Sequence, residues 1–402
     1  MRLSLRLIPF IYMFISIIIN FAWFKENAFL AGAEMGLAFM DYEKEFWRIA
    51  YLWQDHHIVG FNDPSSIFSI PLVSFGSFLS FCNFSGVTIQ RLLFGAIFAL
   101  NGIGMYFLTL YFLKGRSESY LCAFIAGLFY MFNTFSFLST WNRFIYGFIM
   151  MSPVLPLSLL FYIRFLNSNK IINLYLLLVI FIIFTYAFLF PSNPFIIIFL
   201  LGAYFLFYCY NNREDRKKLI RASLNSIFLS VSVIITCLWW LVPFLSSSGH
   251  YVQSITTDDN IASLKAISQH FPLSMVIRGI NPTVLYNPDY WGKVYSNNVF
   301  EIISFIPFFI IVTTFFVKIR ERIVWFFGFL TLVTLFVMKG TNPPFGSFLI
   351  WLFEHFYVLN VFRNPYEKFG LLWPLCYSFL FGYGIGHFYY WMHAKVEVFR
   401  NK

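Results

Sequence analysis

Apolar segments of about 20 residues alternate with short basic turns along most of the chain, and this length matches the hydrocarbon thickness of a bilayer. The pattern predicts an all-α polytopic membrane protein with about ten transmembrane helices, at roughly 4–24, 88–113, 118–137, 150–167, 171–191, 193–210, 223–245, 298–317, 323–339 and 366–392. The run 67–82 would, as a full span, move the turn at Lys114 and Arg116 to the outer side, so we predict that it is re-entrant or interfacial. The hydrophobic content of 59% supports the same fold class, because a soluble core of this length could not bury it.

Basic residues concentrate on one side of the predicted bundle. The N-terminus, the tail from Lys395 and the four short turns at 114–118, 164–170, 211–222 and 318–322 carry 17 Lys/Arg and five Asp/Glu. Since Lys and Arg are enriched on the cytoplasmic side, both termini are predicted to be cytoplasmic in a multi-pass protein of the cell membrane. This distribution accounts for the net charge of +10 without a nucleic-acid partner. The expected partner of the apolar surface is the lipid bilayer.

Three long loops, 25–87, 246–297 and 340–365, fall on the opposite, non-cytoplasmic face. They are polar and are predicted to be irregular. Because loops carry binding and catalytic residues more often than the elements they connect, these loops are predicted to form the active-site face. The whole chain, 1–402, is predicted to be one transmembrane domain.

The first outer loop gathers the carboxylates of Asp41, Glu43 and Glu45. They open a predicted amphipathic interfacial helix whose apolar stripe is formed by Phe46, Ile49, Ala50 and Trp53. The carboxylates are either catalytic candidates or an ordinary solvated helix start, where negative charge favours the positive end of the helix dipole. The neighbouring His56 and His57 have no third ligand at helical spacing, so no metal site is assigned.

Arg91 and Arg143 border apolar segments near the predicted outer membrane boundary. A guanidinium at membrane depth is costly unless it is paired or faces a polar cavity, which makes both residues candidates for binding a charged ligand. The alternative is that each side chain reaches to the interface and serves no ligand.

The stretch LNVFRNPYEKFG places Arg363 and Lys368 five residues apart around a proline. The proline disfavours helix for Asn364, so the chain is predicted to break and to re-enter as a helix from Tyr366. A helix start beside two cations favours an anion, and a lipid phosphate is the anion within reach at the edge of a bilayer. The alternative is a basic anchor at the interface.

Residues 339–370 resemble a pattern near the outer face of large polytopic glycosyltransferases of the GT-C class, namely G-x-x-x-PFG followed by FR-x-P-x-KF. The matching residues are Gly340, Pro344, Phe345, Gly346, Phe362, Arg363, Pro365, Lys368 and Phe369, with one extra residue between Pro365 and Lys368. Two further stretches, 52–98 and 237–253, are similar to the membrane domain of mycobacterial α-(1→3)-arabinofuranosyltransferases. Those enzymes are much longer and carry further spans and soluble modules after the corresponding region.

The resemblance implies a GT-C-like bundle that transfers a sugar from a polyprenyl-phosphate donor to a glycan or other acceptor on the non-cytoplasmic face. It implies a catalytic base in the first outer loop, for which Asp41 is the best match and Glu43 and Glu34 are alternatives. The donor phosphate would be bound by the cations Arg363, Lys368, Arg143 and Arg91. Candidate substrate-binding residues are Asn364, His250, Tyr251 and Trp53.

Two other function classes fit the same sequence. A transporter or flippase of lipid-linked sugars would need polar groups along the spans, whereas these segments are almost free of charge and the polar groups collect on one face. A non-catalytic membrane subunit of a glycan-assembly complex is compatible with the short chain. No cofactor is assigned, and a divalent-cation requirement stays open.

Overall fold

The computed structural model describes residues 7–24, 28–31, 41–51, 53–54, 61–62, 64–252, 257–281, 291–295 and 297–400. Within these residues the regular structure is helical apart from one short antiparallel strand pair, in which Trp53 lies opposite Asn62 and Gln54 opposite Phe61. The first helices are α1 Ile8–Trp23, α2 Tyr42–Ile49, α3 Ile70–Phe81, α4 Gly86–Phe112, α5 Ser119–Met131, α6 Tyr146–Ser168, α7 Ile171–Ile183, α8 Ser192–Asn211 and α9 Arg216–Val252. The later helices are α10 Thr257–Ser268, α11 Leu273–Arg278, α12 Trp291–Tyr295, α13 Asn298–Ser304, α14 Ile306–Val317, α15 Arg322–Met338, α16 Gly346–His355, α17 Pro365–Phe369 and α18 Leu372–Arg400.

Within this described part, six helices are long and apolar enough to cross a membrane. They are Gly86–Phe112, Ser119–Trp141, Tyr146–Ser168, Ser192–Asn211, Arg216–Ser246 and Asn298–Val317. Three further helices at predicted spans, α1, α7 and α15, are apolar but have at most 17 residues. The structure is therefore compatible with a polytopic membrane protein, while the count of ten spans stays a prediction.

Helix α7 ends earlier than the predicted span 171–191. The chain leaves the α-helix at Ile183 and forms a 3₁₀ turn over Thr185–Leu189. The hydroxyl of Thr185 donates to the carbonyls of Phe181 and Ile182, at 3.0 and 2.7 Å, and so satisfies the helix end. This local capping, which hydropathy does not register, explains the difference.

Residues 246–297 are not the irregular loop that the sequence predicts. Helix α9 continues through Val252, and three further helices, α10, α11 and α12, follow within the same range. Helix α10 is weakly amphipathic, with Leu264 fully buried and Lys265 exposed, a pattern that polar composition conceals. Short helices therefore supply much of the structure between the long apolar segments.

The chain divides into two compact units. Unit 1 consists of Met1–Phe14, Phe98–Arg143 and Thr257–Lys402, and unit 2 consists of Ile15–Ile97 and Phe144–Thr256.

Helix α18 forms the core of unit 1. Residues 371–380 are buried on every side of this helix, which packs against α5, α14 and α15. Its Gly382 and Gly386 let α5 approach closely, since an added Cβ would lie 2.6 Å from the carbonyl oxygen of Cys122 at the first position and 2.4 Å from the Cys122 sulfur at the second. Small residues four apart allow the same close contact between helices in membranes.

Helix α6 forms the core of unit 2, with 89% of its most apolar stretch buried. It packs against α7, α8 and α9. Helix α9 differs sharply, because only 17% of its apolar stretch is buried. Such a continuous exposed apolar surface fits contact with lipid better than contact with water.

The first outer loop differs from its prediction in one respect. Helix α2 begins at Tyr42 and ends at Ile49, and these two residues are the buried ones. Trp53 is not on the helix but in the strand pair, and Ala50 is exposed. The predicted stripe through Ala50 and Trp53 is therefore wrong, because the helix terminates before both.

Candidate functional site

The segment 357–372 breaks as the sequence predicts, but in two steps. A 3₁₀ turn over Tyr357–Phe362 leads through Arg363 and Asn364 into the five-residue helix α17. The long helix then begins at Leu372 rather than at Tyr366. A single turn carries little of the dipole that attracts anions to long helices, so the cations of this segment have to account for any anion binding.

Helix α17 is anchored on its inner side by aromatic packing within unit 1. Tyr366 is completely buried and its ring stacks on Phe271 at 4.2 Å between centroids. Phe369 is also buried and contacts Phe362 edge to face. Burying rings of this size fixes the orientation of the turn and therefore the direction of its polar side chains.

The carboxylate of Glu367 lies at the centre of a buried polar cluster. It forms an ion pair with the guanidinium of Arg143 and accepts hydrogen bonds from the amides of Asn364, at 2.7 Å, and Asn281, at 3.4 Å. Asn281 is fully buried and Glu367 is 8% exposed. The predicted donor-binding residue Arg143 thus has an internal carboxylate partner, and Asn364 caps the start of α17.

Lys368, the next residue, faces different surroundings. Its ammonium donates to the carbonyl of Val361 at 2.8 Å. Burial and the positive charge of Arg363 lower the pKa of Lys368 to about 8. In the described part of the chain, no carboxylate lies within 4.0 Å of either cation. The two cations therefore form a positive patch that an anion would stabilise.

Asn360, in the 3₁₀ turn before Arg363, adds a second unsatisfied group. Its side chain is 8% exposed, and neither the oxygen nor the nitrogen of its amide has a hydrogen-bond partner among the described residues. Buried side-chain amides normally have partners, so this one leaves an uncompensated polar group beside the turn, with neither of its polar atoms accessible from outside the protein.

The motif that precedes this segment, KGTNPPFG, has a structural role in unit 1. The amide of Asn342 donates to the carbonyls of Ser268 and Phe271, at 2.5 and 2.9 Å, and so satisfies the end of α10. Gly340 has a φ of +62° and packs directly on the hydroxyl of Ser268. Phe345 adopts a left-handed conformation with a φ of +64° and is 73% exposed.

The proposed base residues lie in unit 2. Asp41 is the N-cap of α2: its carboxylate accepts a hydrogen bond from the backbone N–H of Lys44 at 3.2 Å and pairs with the Lys44 ammonium at 3.5 Å. That backbone hydrogen bond, together with the Lys44 charge, lowers the pKa of Asp41. Glu43 is exposed in the first turn of the helix. The geometry gives Asp41 a capping function, and its catalytic role stays a prediction.

Arg91 is engaged locally in unit 2. Its guanidinium donates to the carbonyl of Phe24 at 2.5 Å and lies 5.4 Å from the centre of the Phe24 ring. The backbone carbonyl of Arg91 accepts a hydrogen bond from Asn20 at 3.0 Å. These contacts join α1 to α4, and a role in donor binding stays a prediction.

The remaining candidates also belong to unit 2 or lie outside the description. His250 and Tyr251 stand in the last turn of α9, and Trp53 stands in the strand pair. Glu34, His56 and His57 are outside the described residues. Sequence reasoning did not select Glu367, Asn281 or Asn360 as ligand-binding or positioning residues. Glu367 is the one carboxylate between Arg363 and Lys368 in the sequence, which could have indicated a positioning role. Sequence reasoning treated it only as part of a charged stretch.

No family model matches this chain, and neither a curated protein nor a solved structure does.

Proposed function

We propose that this chain is a membrane glycosyltransferase that takes a sugar from a polyprenyl-phosphate donor and transfers it to a glycan or other acceptor on the non-cytoplasmic face. The observation that carries the proposal is the pair of cations Arg363 and Lys368, of which the second is buried enough to have its pKa lowered to about 8. A phosphate would compensate both charges.

The surroundings of the pair support a phosphate ligand over a simple surface anchor. An anchoring lysine would extend into solvent with an ordinary pKa, whereas Lys368 is held against the carbonyl of Val361. The Arg143–Glu367 ion pair fixes the turn that presents Lys368.

The proposed reaction is an inverting displacement. A carboxylate, assigned to Asp41 with Glu43 as the alternative, removes the proton of an acceptor hydroxyl. The hydroxyl oxygen then forms a bond to the anomeric carbon while the bond from that carbon to the phosphate oxygen breaks. The polyprenyl phosphate leaves as an anion, and Arg363 and Lys368 would stabilise the negative charge that develops on it.

One observation favours a second function, that of a non-catalytic subunit that holds a lipid-linked phosphate. The pKa of Asp41 is lowered and its oxygens are used by the cap of α2. A catalytic base works best with a pKa near the working pH, so a capped carboxylate is a weak one. In this alternative the cation pair binds the donor for another protein.

The experiment is sugar transfer by the purified full-length protein in nanodiscs, with a panel of radiolabelled polyprenyl-phosphate sugars and separate measurement of donor binding. Arg363→Gln and Lys368→Met test the cation pair, and Asp41→Asn tests the base. Lys265→Gln, which removes an exposed cation of unit 1 outside the site, is the matched control.

Transfer by the wild type and the control, with loss in all three site variants, would support the glycosyltransferase. Binding without consumption of any donor would favour the subunit. If the wild type binds no donor of the panel, or if Arg363→Gln and Lys368→Met bind donor as tightly as the wild type does, both the glycosyltransferase and the subunit proposals are overturned.

A further inference from the structure

A half-open groove lies within unit 1 between α14 and the second half of α18. Its wall on α18 runs from Gly384 to Trp391, far along this helix from the end that follows α17. Its cavity volume is about 680 Å³, inside the range of about 300–1,000 Å³ that small-molecule sites have. The walls are formed by large apolar side chains, with Lys318 and His387 as the charged or titratable members.

The groove walls suit hydrocarbon. The hydroxyls of Thr313 and Thr314 donate to carbonyls of their own helix, those of Phe309 and Ile310, at 2.8 and 2.7 Å. The two hydroxyls that line the groove thus already have acceptors for their protons. An apolar chain can lie against such walls without leaving these donors unpaired.

The outer side of the groove opens toward the surroundings of the protein. Only 11% of the apolar stretch in Asn298–Val317 is buried, and Phe309 is 63% exposed. Phe388 and Trp391 on the facing helix are about half exposed. Tryptophan is enriched where a membrane meets water, and exposed phenylalanines suit contact with lipid.

One end of the groove is basic. Lys318 lines it, and Arg320 and Arg322 follow in the same turn against a single carboxylate, Glu321. That carboxylate is already held by the guanidinium of Arg116 at 2.6 Å, and lies 3.8 Å from the Lys318 ammonium.

The facing helix contributes one further cation and a histidine, and the residue before α5 contributes a carboxylate. Lys395 is exposed, with its ammonium 4.1 Å from the centre of the Trp391 ring. His387 lies 3.9 Å from Glu118. Positive charge exceeds negative charge at this end of the groove. The positive residues are Lys318, Arg320, Arg322, Arg116 and Lys395, and the negative ones are Glu118 and Glu321.

We infer that this groove is a binding site for an anionic phospholipid of the surrounding bilayer, with an acyl chain between α14 and α18 and its headgroup at the basic end, where Lys318 lines the groove and Lys395 lies one helical turn beyond the lining residue Trp391. Basic pockets between transmembrane helices on the cytoplasmic side bind such headgroups. The site is separate from the Arg363 and Lys368 pair and does not depend on the proposed transfer reaction.

Native mass spectrometry of the purified full-length protein tests the inference. The protein is equilibrated with equal amounts of phosphatidylglycerol and phosphatidylcholine that have the same acyl chains. Thr313→Trp places an indole in the groove at an exposed position, and Lys318→Gln and Lys395→Gln remove the cations. Phe316→Trp, on the exposed face of the same helix, and Lys114→Gln, an exposed cation of unit 1, are the matched controls.

We expect the wild type and both controls to retain phosphatidylglycerol in preference to phosphatidylcholine, and Thr313→Trp to lose it. Each lysine variant should bind about fivefold more weakly, since one basic side chain near an anionic leaflet contributes about 1 kcal/mol. Equal retention of the two lipids, unchanged binding by Thr313→Trp, or a protein dimer in which the groove is closed to lipid would overturn the inference.

Discussion

The guanidinium of Arg143 and the carboxylate of Glu367 form a buried ion pair that joins the end of the segment after α5 to the single turn α17. Their side chains are 23% and 11% exposed, so water screens the pair only in part. The fully buried amide of Asn281 and the half-buried amide of Asn364 donate further hydrogen bonds to the carboxylate. The pair therefore holds the turn that carries Lys368.

Removal of the negative charge at this pair should destabilise the protein. Glu367→Gln keeps an oxygen for the neighbouring amides but leaves the Arg143 charge without this carboxylate. Removing one partner of a buried ion pair lowers the free energy of unfolding by about 3–5 kcal/mol. Because this pair is partly exposed, we expect a loss of about 3 kcal/mol. The measurement is the unfolding of the purified protein, followed by tryptophan fluorescence.

Two variants separate this effect from a general sensitivity to charge. Asp215→Asn breaks the exposed Asp215–Lys218 pair and should leave the melting temperature nearly unchanged. Arg143→Met combined with Glu367→Gln should recover part of the loss, because no buried charge remains. A double variant less stable than Glu367→Gln alone would contradict the assignment of the loss to an uncompensated arginine.

The affinity of the cation pair for phosphate should depend on pH through Lys368. Its pKa falls from 10.5 to about 8 in the fold, so the empty protein loses this proton while the unfolded chain still keeps it. Stability of the empty protein should thus rise between about pH 8 and 10.5. Binding of a phosphodiester lipid needs the ammonium, so its affinity should fall as pH rises through about 8, by about tenfold from pH 7 to 9.

Lys368→Arg provides the matched comparison, because a guanidinium stays protonated through this range. The arginine variant should bind the same phosphodiester lipid with an affinity that does not change between about pH 7 and 9. Binding can be followed by a scintillation proximity assay with the protein in nanodiscs. A wild-type affinity that is flat across the window would show that Lys368 does not contact the phosphate.

The sequence predicts local features well and long-range pairings poorly. Apolar runs specify where helices lie, and the proline after Asn364 correctly indicates a break, because both signals reside in neighbouring residues. The Arg143–Glu367 pair was not predicted, since nothing local to either residue specifies its partner. The early end of α7 depends on one hydroxyl, that of Thr185, which hydropathy does not detect.

The proposed base can be tested without disturbing the helix that it caps. Asparagine is as good an N-cap as aspartate, so Asp41→Asn should retain the hydrogen bond from the backbone of Lys44. If Asp41 is the base, this variant loses about 10²–10⁴ in transfer rate with an unchanged melting temperature. An active Asp41→Asn together with an inactive Glu43→Gln would move the role to Glu43.

The pH profile of transfer gives an independent check on Asp41. Its pKa is lowered from 3.8 by the hydrogen bond from Lys44, so the carboxylate is ionised throughout the range above that value. A base in this state imposes no fall in kcat/KM between about pH 5 and 8. A decline on the acid side within that window, retained in Glu43→Gln, would contradict Asp41 as the only base.

The loop that connects α15 to α16 makes a close contact with the end of α10. Gly340 adopts a φ of +62°, and an added Cβ would lie 1.9 Å from the hydroxyl oxygen of Ser268. Gly340→Ala should therefore displace the loop and weaken the hydrogen bonds from Asn342 to the end of α10, at a cost of about 1–3 kcal/mol.

Gly202→Ala is the matched control, because an added Cβ on that helical residue meets nothing within 4 Å. Thermal unfolding of both variants should show a clear decrease in melting temperature only for Gly340→Ala. Gly340→Ala combined with Ser268→Gly removes the steric conflict but not the backbone strain, so it should recover only part of the stability. Equal melting temperatures for Gly340→Ala and Gly202→Ala would show that the loop does not depend on this contact.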